Sequence, residues 1–127
     1  PPHPQENAMS AFCVFGMTET LARKAAERAW QKHLESLTKE ARACLTPADE
    51  AEWIKVKTEY HLSKGKTIQL SAPFDAPQFA QDFIKLARAT GRTSRLEVMR
   101  RAPLLDKNGA PRISKTTKRQ MIGWVPQ

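Results

Sequence analysis

Apolar residues recur at steps of three and four positions over the first third of the chain. Leu21 and Ala25 belong to this stripe, and charged residues fill the opposite side. Such spacing is typical of an amphipathic helix that buries one face. Because Thr18 offers a side-chain oxygen to the first turn, the pattern predicts a helix over residues 19–37. An extension of this helix as far as Cys44 stays open.

A polar, proline-rich tail and a short apolar run precede this helix. Residues 1–11 are predicted to form a disordered N-terminal tail, since they carry little that could be buried. Phe12 to Phe15 are apolar, and Gly16 closes the run. A run this short fits either a buried strand or a plug under the first helix, and the sequence leaves both open.

A second helix is predicted to begin after Thr46. Thr46 is a good N-cap residue, and Pro47 occupies the first turn, where its missing N–H costs nothing. The stripe expected to be buried consists of Trp53, Ile54, Val56 and Tyr60. Gly65 is expected to end the helix in the left-handed conformation. This half of the chain therefore predicts two antiparallel helices joined near Leu45.

A short strand and a third helix follow. Thr67 to Ser71 alternate apolar and polar side chains, as a half-buried strand does. Asp75 and Gln78 have the spacing of a capping box, which predicts the start of a helix. The apolar side of that helix is predicted to consist of Phe79, Ala80, Phe83, Ile84, Leu86 and Ala87. Gly91 is expected to close it.

The C-terminal part of the chain predicts a β-hairpin with an irregular tip. Residues 95–102 alternate over the length of one strand. The Asn-Gly pair at positions 108–109 is a strong turn signal. Residues 112–125 would then form the return strand, which closes a basic hairpin. A short helix over residues 114–122 is the alternative for the return segment.

Taken in chain order, these elements predict an α+β fold. Two N-terminal antiparallel helices are followed by strand, helix, strand and strand, and the last two strands form the basic β-hairpin of a small sheet. A chain of 127 residues can bury a real core but has little room for a second domain. We therefore expect residues 12–127 to form a single domain.

Positive charge is concentrated in the C-terminal segment, residues 91–127. This segment carries a net charge of +7 out of +8, since Glu97 and Asp106 are its only acids. The candidate binding residues are its nine cations: Arg92, Arg95, Arg100, Arg101, Lys107, Arg112, Lys115, Lys118 and Arg119. Protection of an exposed sheet edge would need only about two or three of them. The excess predicts a polyanionic partner, of which nucleic acid is the commonest.

Among nucleic acids, the pattern favours duplex DNA over RNA. Modules for single strands expose aromatic side chains on which bases stack. The basic segment has one aromatic residue, Trp124, and the apolar neighbours Ile122 and Val125 favour a place for it in the core. A two-stranded ribbon can instead enter a major groove, where arginine contacts guanine. We expect a small regulatory or accessory DNA-binding protein, such as those used in transcription regulation.

The sequence offers no catalytic or metal-binding constellation. His3, His33 and His61 have no cysteine or acidic partner at the spacing of metal ligands. Neither a phosphate-binding loop nor a nucleophile-elbow motif occurs in the chain. We expect a non-catalytic protein that uses no metal, no cofactor and no small-molecule substrate.

Other functions fit the same charge. An adaptor that binds an acidic protein partner would need these cations, and so would an RNA-binding module. The first helix also has small residues on its apolar side: Ala22, Ala25, Ala26 and Ala29. They would allow close packing in a homodimer, which would present two hairpins to a pseudo-palindromic site.

The sequence favours a cytoplasmic protein. No apolar run reaches the roughly 18 residues that cross a membrane, and the nine cations of residues 91–127 have no accompanying amphipathic helix with bulky apolar anchors. The chain does not open on a basic region followed by an apolar one, as a signal peptide would. Cys13 and Cys44 form no C-x-x-C pattern, which favours a reducing compartment over a disulfide.

Overall fold

A computed structural model describes residues 11–127 as a mixture of helix and sheet. Its elements are β1 (Phe12–Thr18), α1 (Glu19–Ser36), α2 (Lys39–Ala43), α3 (Pro47–Lys64), β2 (Ile68–Gln69), α4 (Pro77–Thr90), β3 (Thr93–Pro103) and β4 (Ile122–Pro126). The predicted α+β character is confirmed. The predicted tail lies outside the described residues, apart from Ala11. Within residues 11–127, no helix is both long and apolar enough to cross a membrane.

Four strands form one curled antiparallel sheet in the order β2-β1-β3-β4. The apolar run before α1 is therefore a strand and not a plug. β2 covers only two of the five residues predicted at positions 67–71. Just beyond β2, the Ser71 hydroxyl accepts a hydrogen bond from the Val14 N–H at 3.0 Å, so a side chain replaces the backbone partner there.

The chain divides into two compact units. The helical unit comprises Gly16–Ile68 and Ala87–Arg95. The sheet unit comprises Gln69–Leu86 and Leu96–Gln127, together with residues 11–15 of the described chain. Each unit has its own cluster of buried apolar side chains. The expectation of one domain over residues 12–127 stays a prediction.

In the helical unit, α1 packs against α3 through small side chains. Ala22 and Ala26 have no exposed surface, and Ala22 shares a buried cluster with Met17 and Leu62. Short side chains allow the two helix axes to approach closely. The alanine stripe is thus used inside one chain, which removes the sequence argument for dimerisation through it. The homodimer itself stays a prediction.

α1 ends at Ser36, so the extension to Cys44 is wrong. Leu37 has extended backbone angles, φ −91° and ψ 153°. Thr38 then caps the separate helix α2 by accepting a hydrogen bond from the Ala41 N–H at 3.1 Å. A threonine side chain that bonds the backbone ahead of it competes with continuation of the preceding helix.

Both ends of α3 lie where the sequence predicts them. Thr46 and Asp49 form a capping box, with hydrogen bonds of 2.9 and 3.2 Å between backbone N–H and side-chain oxygen. Gly65 follows the last helical residue, but its angles (φ −65°, ψ 163°) are not left-handed, so the predicted conformation is wrong. Glycine avoids a steric clash here, because a Cβ at this position would lie 2.6 Å from the carbonyl oxygen of His61.

The predicted buried stripe of α3 is largely wrong. Val56 and Tyr60 are 60% and 51% exposed, and residues 53–54 are half-buried. The buried side chains of α3 are Thr58 and Leu62. α3 has apolar residues on two sides, and sequence spacing cannot tell which side meets α1. Packing against the alanines of α1 decides it.

The core of the sheet unit is built by β1, β3 and α4. Its buried side chains are Val14, Ala80, Ile84 and Val98. α4 begins at Pro77, which suits the first helical turn, so Asp75 does not cap the helix and the predicted capping box is wrong. Phe79 and Leu86 lie outside the core, since they are 54% and 64% exposed.

Replacement of Gly65 by alanine should destabilise the protein. The added methyl would lie 2.6 Å from the His61 carbonyl oxygen and 2.9 Å from its Cα, so the end of α3 must shift. We expect urea denaturation to show a loss of about 1–3 kcal/mol in unfolding free energy, as for other overpacked sites. Gly91→Ala is the matched control, because nothing lies within 4 Å of a Cβ there. Equal losses in both variants would contradict the steric explanation.

Candidate nucleic-acid interface

The predicted basic hairpin is present, with β3 and β4 as its antiparallel strands. Arg101 lies opposite Trp124, and Arg100 lies opposite Val125. Opposed residues of an antiparallel pair share one side of the sheet, and successive residues alternate between sides. Val98 belongs to the Arg100 side and is buried, so the Arg101–Trp124 pair lies on the other side. Both arginine side chains are exposed.

Three backbone hydrogen bonds organise residues 104–121, which connect β3 to β4. The Leu104 N–H donates to the Met121 carbonyl, the Met121 N–H to the Arg112 carbonyl, and the Arg112 N–H to the Leu104 carbonyl. Each of these bonds is 2.8 Å long. We call this closed set the hydrogen-bond ring. It joins three passes of the chain and so divides the connection into two short loops.

The first loop is closed by a bridge between Leu105 and Pro111. Inside it, Asp106 Oδ1 accepts hydrogen bonds from the backbone N–H groups of Asn108 (2.8 Å) and Ala110 (3.0 Å). The turn lies where the Asn-Gly pair predicts it, and Gly109 has a positive φ of 83°. The Asp106 carboxylate is therefore occupied by the turn.

The second loop is closed by a bridge between Ile113 and Gln120. The Ser114 hydroxyl accepts hydrogen bonds from the N–H groups of Thr116 and Thr117, at 3.3 and 3.2 Å. The backbone of Ser114 also bonds the far side of the turn, at Arg119 and Lys118, over 2.8 and 2.9 Å. The backbone of the second loop is thus held in a compact turn, and the side chains of Lys115, Lys118 and Arg119 are exposed on it.

The predicted return strand over residues 112–125 is wrong, except for the part that forms β4. The alternative helix over residues 114–122 is wrong as well, because this stretch is a turn followed by the start of β4. The physical reason is local. Asp106 and Ser114 bond backbone N–H groups a few residues ahead, and such bonds favour turns over a continuing ladder.

Seven of the nine predicted binding residues lie on the hairpin and its two loops, all with exposed side chains: Arg100, Arg101, Lys107, Arg112, Lys115, Lys118 and Arg119. We call them the hairpin cations. None of them forms an ion pair with an acid among residues 11–127. Residues 96–127 contain two acids, Glu97 and Asp106, and Asp106 is engaged in its turn. The hairpin thus keeps an excess of positive charge open to an external anion.

Arg92, one of the two predicted binding residues outside the hairpin, lies in the helical unit and is ion-paired there. Its guanidinium donates two hydrogen bonds to the Glu59 carboxylate, one of them 2.8 Å long, and approaches Glu19 at 3.6 Å. The hydrogen bond from Arg92 lowers the pKa of Glu59, and the same bond raises the pKa of Arg92. Neither glutamate is near Arg92 in sequence, so the charge count could not reveal this pairing.

Arg95, the other predicted binding residue outside the hairpin, also forms hydrogen bonds within the helical unit. Its Nη2 donates to the carbonyl oxygens of His61 and Leu62, both at 3.2 Å, at the C-terminal end of α3. A cation at this end stabilises carbonyl groups that have no partner within the helix. Arg95 itself has a positive φ of 54°, unusual for a residue with a side chain. The structure therefore gives Arg92 and Arg95 internal partners.

Trp124 is half-buried and stands beside a hairpin cation. The guanidinium carbon of Arg101 lies 5.8 Å from the centre of the indole ring, within the range of a cation–π contact. The expectation of a core position for Trp124 is thus only partly met. Alternation along β3 could have revealed the pair, since Arg101 faces away from the buried Val98.

Other chemistry is sparse in the described chain. Within residues 11–127, no group of three or more His, Cys, Asp or Glu side chains could hold a metal ion. Cys13 and Cys44 are both free thiols. Burial raises the pKa of the Cys13 thiol to about 11, which keeps it protonated and unreactive near neutral pH.

Comparisons with known proteins give no guide to this surface. No family model matches the chain, and neither a curated protein nor a solved structure matches it. Any function proposed for the chain must therefore come from its own charges and contacts.

Acid should destabilise the protein through His61. Desolvation, followed by the positive charges of Lys57 and Arg28, lowers the pKa of His61 below its usual 6.5, and its buried Nε2 has no hydrogen-bond partner within the described chain. The neutral ring is thus favoured in the folded state. Its contribution to stability is complete above the unfolded-state pKa and is lost as pH falls through the lower folded-state pKa.

We therefore expect the melting temperature of the wild-type protein to fall between pH 7.5 and pH 5 relative to that of His61→Gln, which cannot titrate at this position. Differential scanning calorimetry at matched pH values measures the difference. Parallel curves for the two proteins would show that His61 does not carry the effect.

Proposed function

We propose that this protein binds nucleic acid, with duplex DNA as the favoured ligand, through the β3–β4 hairpin and its two loops. The observation that carries the proposal is the set of hairpin cations. All seven are exposed, and none is ion-paired with an acid among residues 11–127. Cations that neutralise phosphates release condensed counterions, and this release favours binding.

The form of the hairpin suits a duplex. A major groove admits a two-stranded ribbon, and arginine can read guanine there with two hydrogen bonds. Arg101 lies on the side of the ribbon that faces away from the buried Val98, where it is the candidate for base contacts, and Arg100 adds positive charge on the other side. Lys107 lies in the first loop and Lys115 in the second, where they are the candidates for phosphate contacts. The hydrogen-bond ring holds the residues at which both loops begin and end. Loops that are held before binding lose less conformational entropy when they bind.

A regulatory or accessory role, as in transcription regulation, fits such a protein better than catalysis. The described residues combine a basic binding surface with no metal-binding cluster, and nothing in them suggests a nucleophile with its base. A DNA ligand and two free thiols agree with a reducing cytoplasm as its compartment. Of the predicted binding residues, Arg92 and Arg95 are the two least suited to DNA, because the helical unit already uses them.

A single-stranded ligand, including RNA, is the second candidate, and one observation favours it. Trp124 is only half-buried and has Arg101 over its ring, which is the pairing of side chains that stacks unpaired bases. Such a ligand would use the same hairpin cations. An acidic protein partner would use them too, but its binding would not depend on the length of a nucleic acid.

Charge reversal on the hairpin should abolish binding. The substitutions Arg100→Glu, Arg101→Glu, Lys118→Glu and Arg119→Glu replace attraction to phosphate by repulsion. We expect fluorescence anisotropy with a labelled duplex of about 30 base pairs to show a loss of at least about 100-fold in affinity. Wild-type affinity should fall steeply with salt. The helical circular dichroism should not change, because all four residues lie outside the helices.

A matched control reverses four exposed cations of the helical unit: Lys24, Lys32, Lys39 and Arg42. Both quadruple variants have the same net charge, so any difference between them reports the position of the charge. The control is expected to keep most of the duplex affinity. Equal losses in the two variants would show that net charge alone drives binding, and an unaffected hairpin variant would remove the hairpin from the interface.

Trp124→Leu separates the two nucleic-acid ligands. Stacking on an aromatic ring contributes about 1–3 kcal/mol per unpaired base, whereas groove and phosphate contacts do not need the ring. For a duplex ligand we expect the anisotropy titration to change by less than about threefold. A preference for the single strand or an RNA hairpin, with a loss of about tenfold or more in the variant, would favour the second candidate instead.

A further inference from the structure

α3 carries an apolar stripe that the helical unit covers only in part, at its Trp53 end. Trp53, Val56 and Tyr60 follow one another at steps of three and four residues, so they lie on one side of the helix. Val56 and Tyr60 are largely exposed, while Thr58 and Leu62 fill the opposite, buried side. Contiguous apolar side chains left exposed on a protein surface often mark a site for a partner.

A cleft of about 610 Å³ lies beside this stripe, near the start of α3. Its walls are mostly apolar or aromatic, and three charged side chains also line it: Trp30, His33, Leu45, Trp53 and Val56, with Asp49, Glu52 and Lys57. The ring centres of Trp30 and Trp53 are 5.3 Å apart, and His33 stacks on Trp53 at the same distance with an angle of 18°. The three rings thus contact one another along the wall of the cleft, whereas Tyr60 is exposed at the other end of the stripe.

Charge along α3 changes sign from one end to the other. Three of its acids, Asp49, Glu50 and Glu52, lie in the first two turns. Its fourth acid, Glu59, is ion-paired with Arg92, and Lys64 is its last residue. A second α3 laid alongside in the opposite direction would bring acidic ends next to basic ends. The same reversal would bring the projecting Tyr60 of each copy towards the cleft beside Trp53 of the other. The surface is therefore complementary to itself.

We propose that a second copy of this chain docks here and that α3 pairs with α3 in an antiparallel, two-fold dimer. The two-fold axis passes near Val56, Tyr60 of each copy enters the cleft of the other, and Glu50 of each copy faces Lys64 of the other. An interface in which the same patch serves both subunits is the commonest arrangement in homodimers. This surface replaces the alanine stripe of α1, whose Ala22 and Ala26 are buried inside the chain.

The contact is small and one feature opposes it. One helix side and a cleft rim place the interface at the lower end of stable assemblies. The two Lys57 side chains also meet near the axis, although each lies over its own Trp53 and Tyr60 rings, at 5.8 and 5.2 Å. We expect a dissociation constant of about 10–100 µM, typical of weak self-association.

Sedimentation velocity of the full chain without nucleic acid, from about 1 to about 500 µM, tests the proposal. Wild type should shift from monomer to dimer across this range. Val56→Arg should stay monomeric, because it adds two like charges at the axis. Leu86→Arg is the control, since Leu86 is about as exposed as Val56 but lies on α4 in the sheet unit. A monomeric wild type, or equal losses in both variants, would overturn the proposal.

A charge swap tests the antiparallel direction. Glu50→Lys and Lys64→Glu should each weaken the dimer by about tenfold, and the double variant should recover the wild-type constant. Within one helix these residues are 14 positions, or about 21 Å, apart, so recovery can only come from pairing between chains. Absence of recovery, with unchanged circular dichroism, would overturn the antiparallel arrangement. Because no nucleic acid is present, neither outcome depends on the function proposed for the hairpin.

Discussion

The close packing of α1 on α3 is the constraint on which most of the helical unit depends. Ala22 and Ala26 offer so little side chain that the second helix can lie directly against the first, with Leu62 in the shared cluster. That contact decides which side of α3 is buried. It thereby leaves Val56 and Tyr60 on the surface, where they form the stripe that we assign to a second copy.

At the end of α3, the backbone carbonyl of His61 constrains both Gly65 and Arg95. Gly65 has to be free of a Cβ because the His61 carbonyl lies so close to it. The guanidinium of Arg95 then bonds that same carbonyl and its neighbour at Leu62. A residue that looked like part of a basic nucleic-acid surface is thus bound to a helix terminus. The buried Nε2 of His61, which has no hydrogen-bond partner among residues 11–127, belongs to the same helix end.

Where the acids lie determines which cations remain open. Glu19 and Glu59 engage Arg92 in the helical unit, and the exposed salt bridges there add little stability but do occupy charge. On the hairpin, Asp106 is engaged by its own turn, so the seven hairpin cations face solvent without an ion-pair partner among residues 11–127. The hydrogen-bond ring holds both loops in place and so gives this charge a defined position.

The sequence by itself determined the local features. Cap residues such as Thr18 and Thr46 fixed the starts of helices, because a cap acts on backbone within three residues of it. Alternation gave β3, and the Asn-Gly pair gave a turn. The concentration of charge in residues 91–127 likewise follows from composition alone.

Only the tertiary structure decided matters that involve residues distant in the chain. The buried side of α3, the partners of Arg92 and Arg95, and the three-way ring at Leu104 all join segments that local spacing cannot relate. The predicted return strand over residues 112–125 was wrong for a different reason. Hydrogen bonds from backbone N–H groups to the side chains of Asp106 and Ser114 favour turns, and they outweighed the propensity for a strand. Local chemistry set where elements begin, and long-range packing set which of their surfaces remain open for binding.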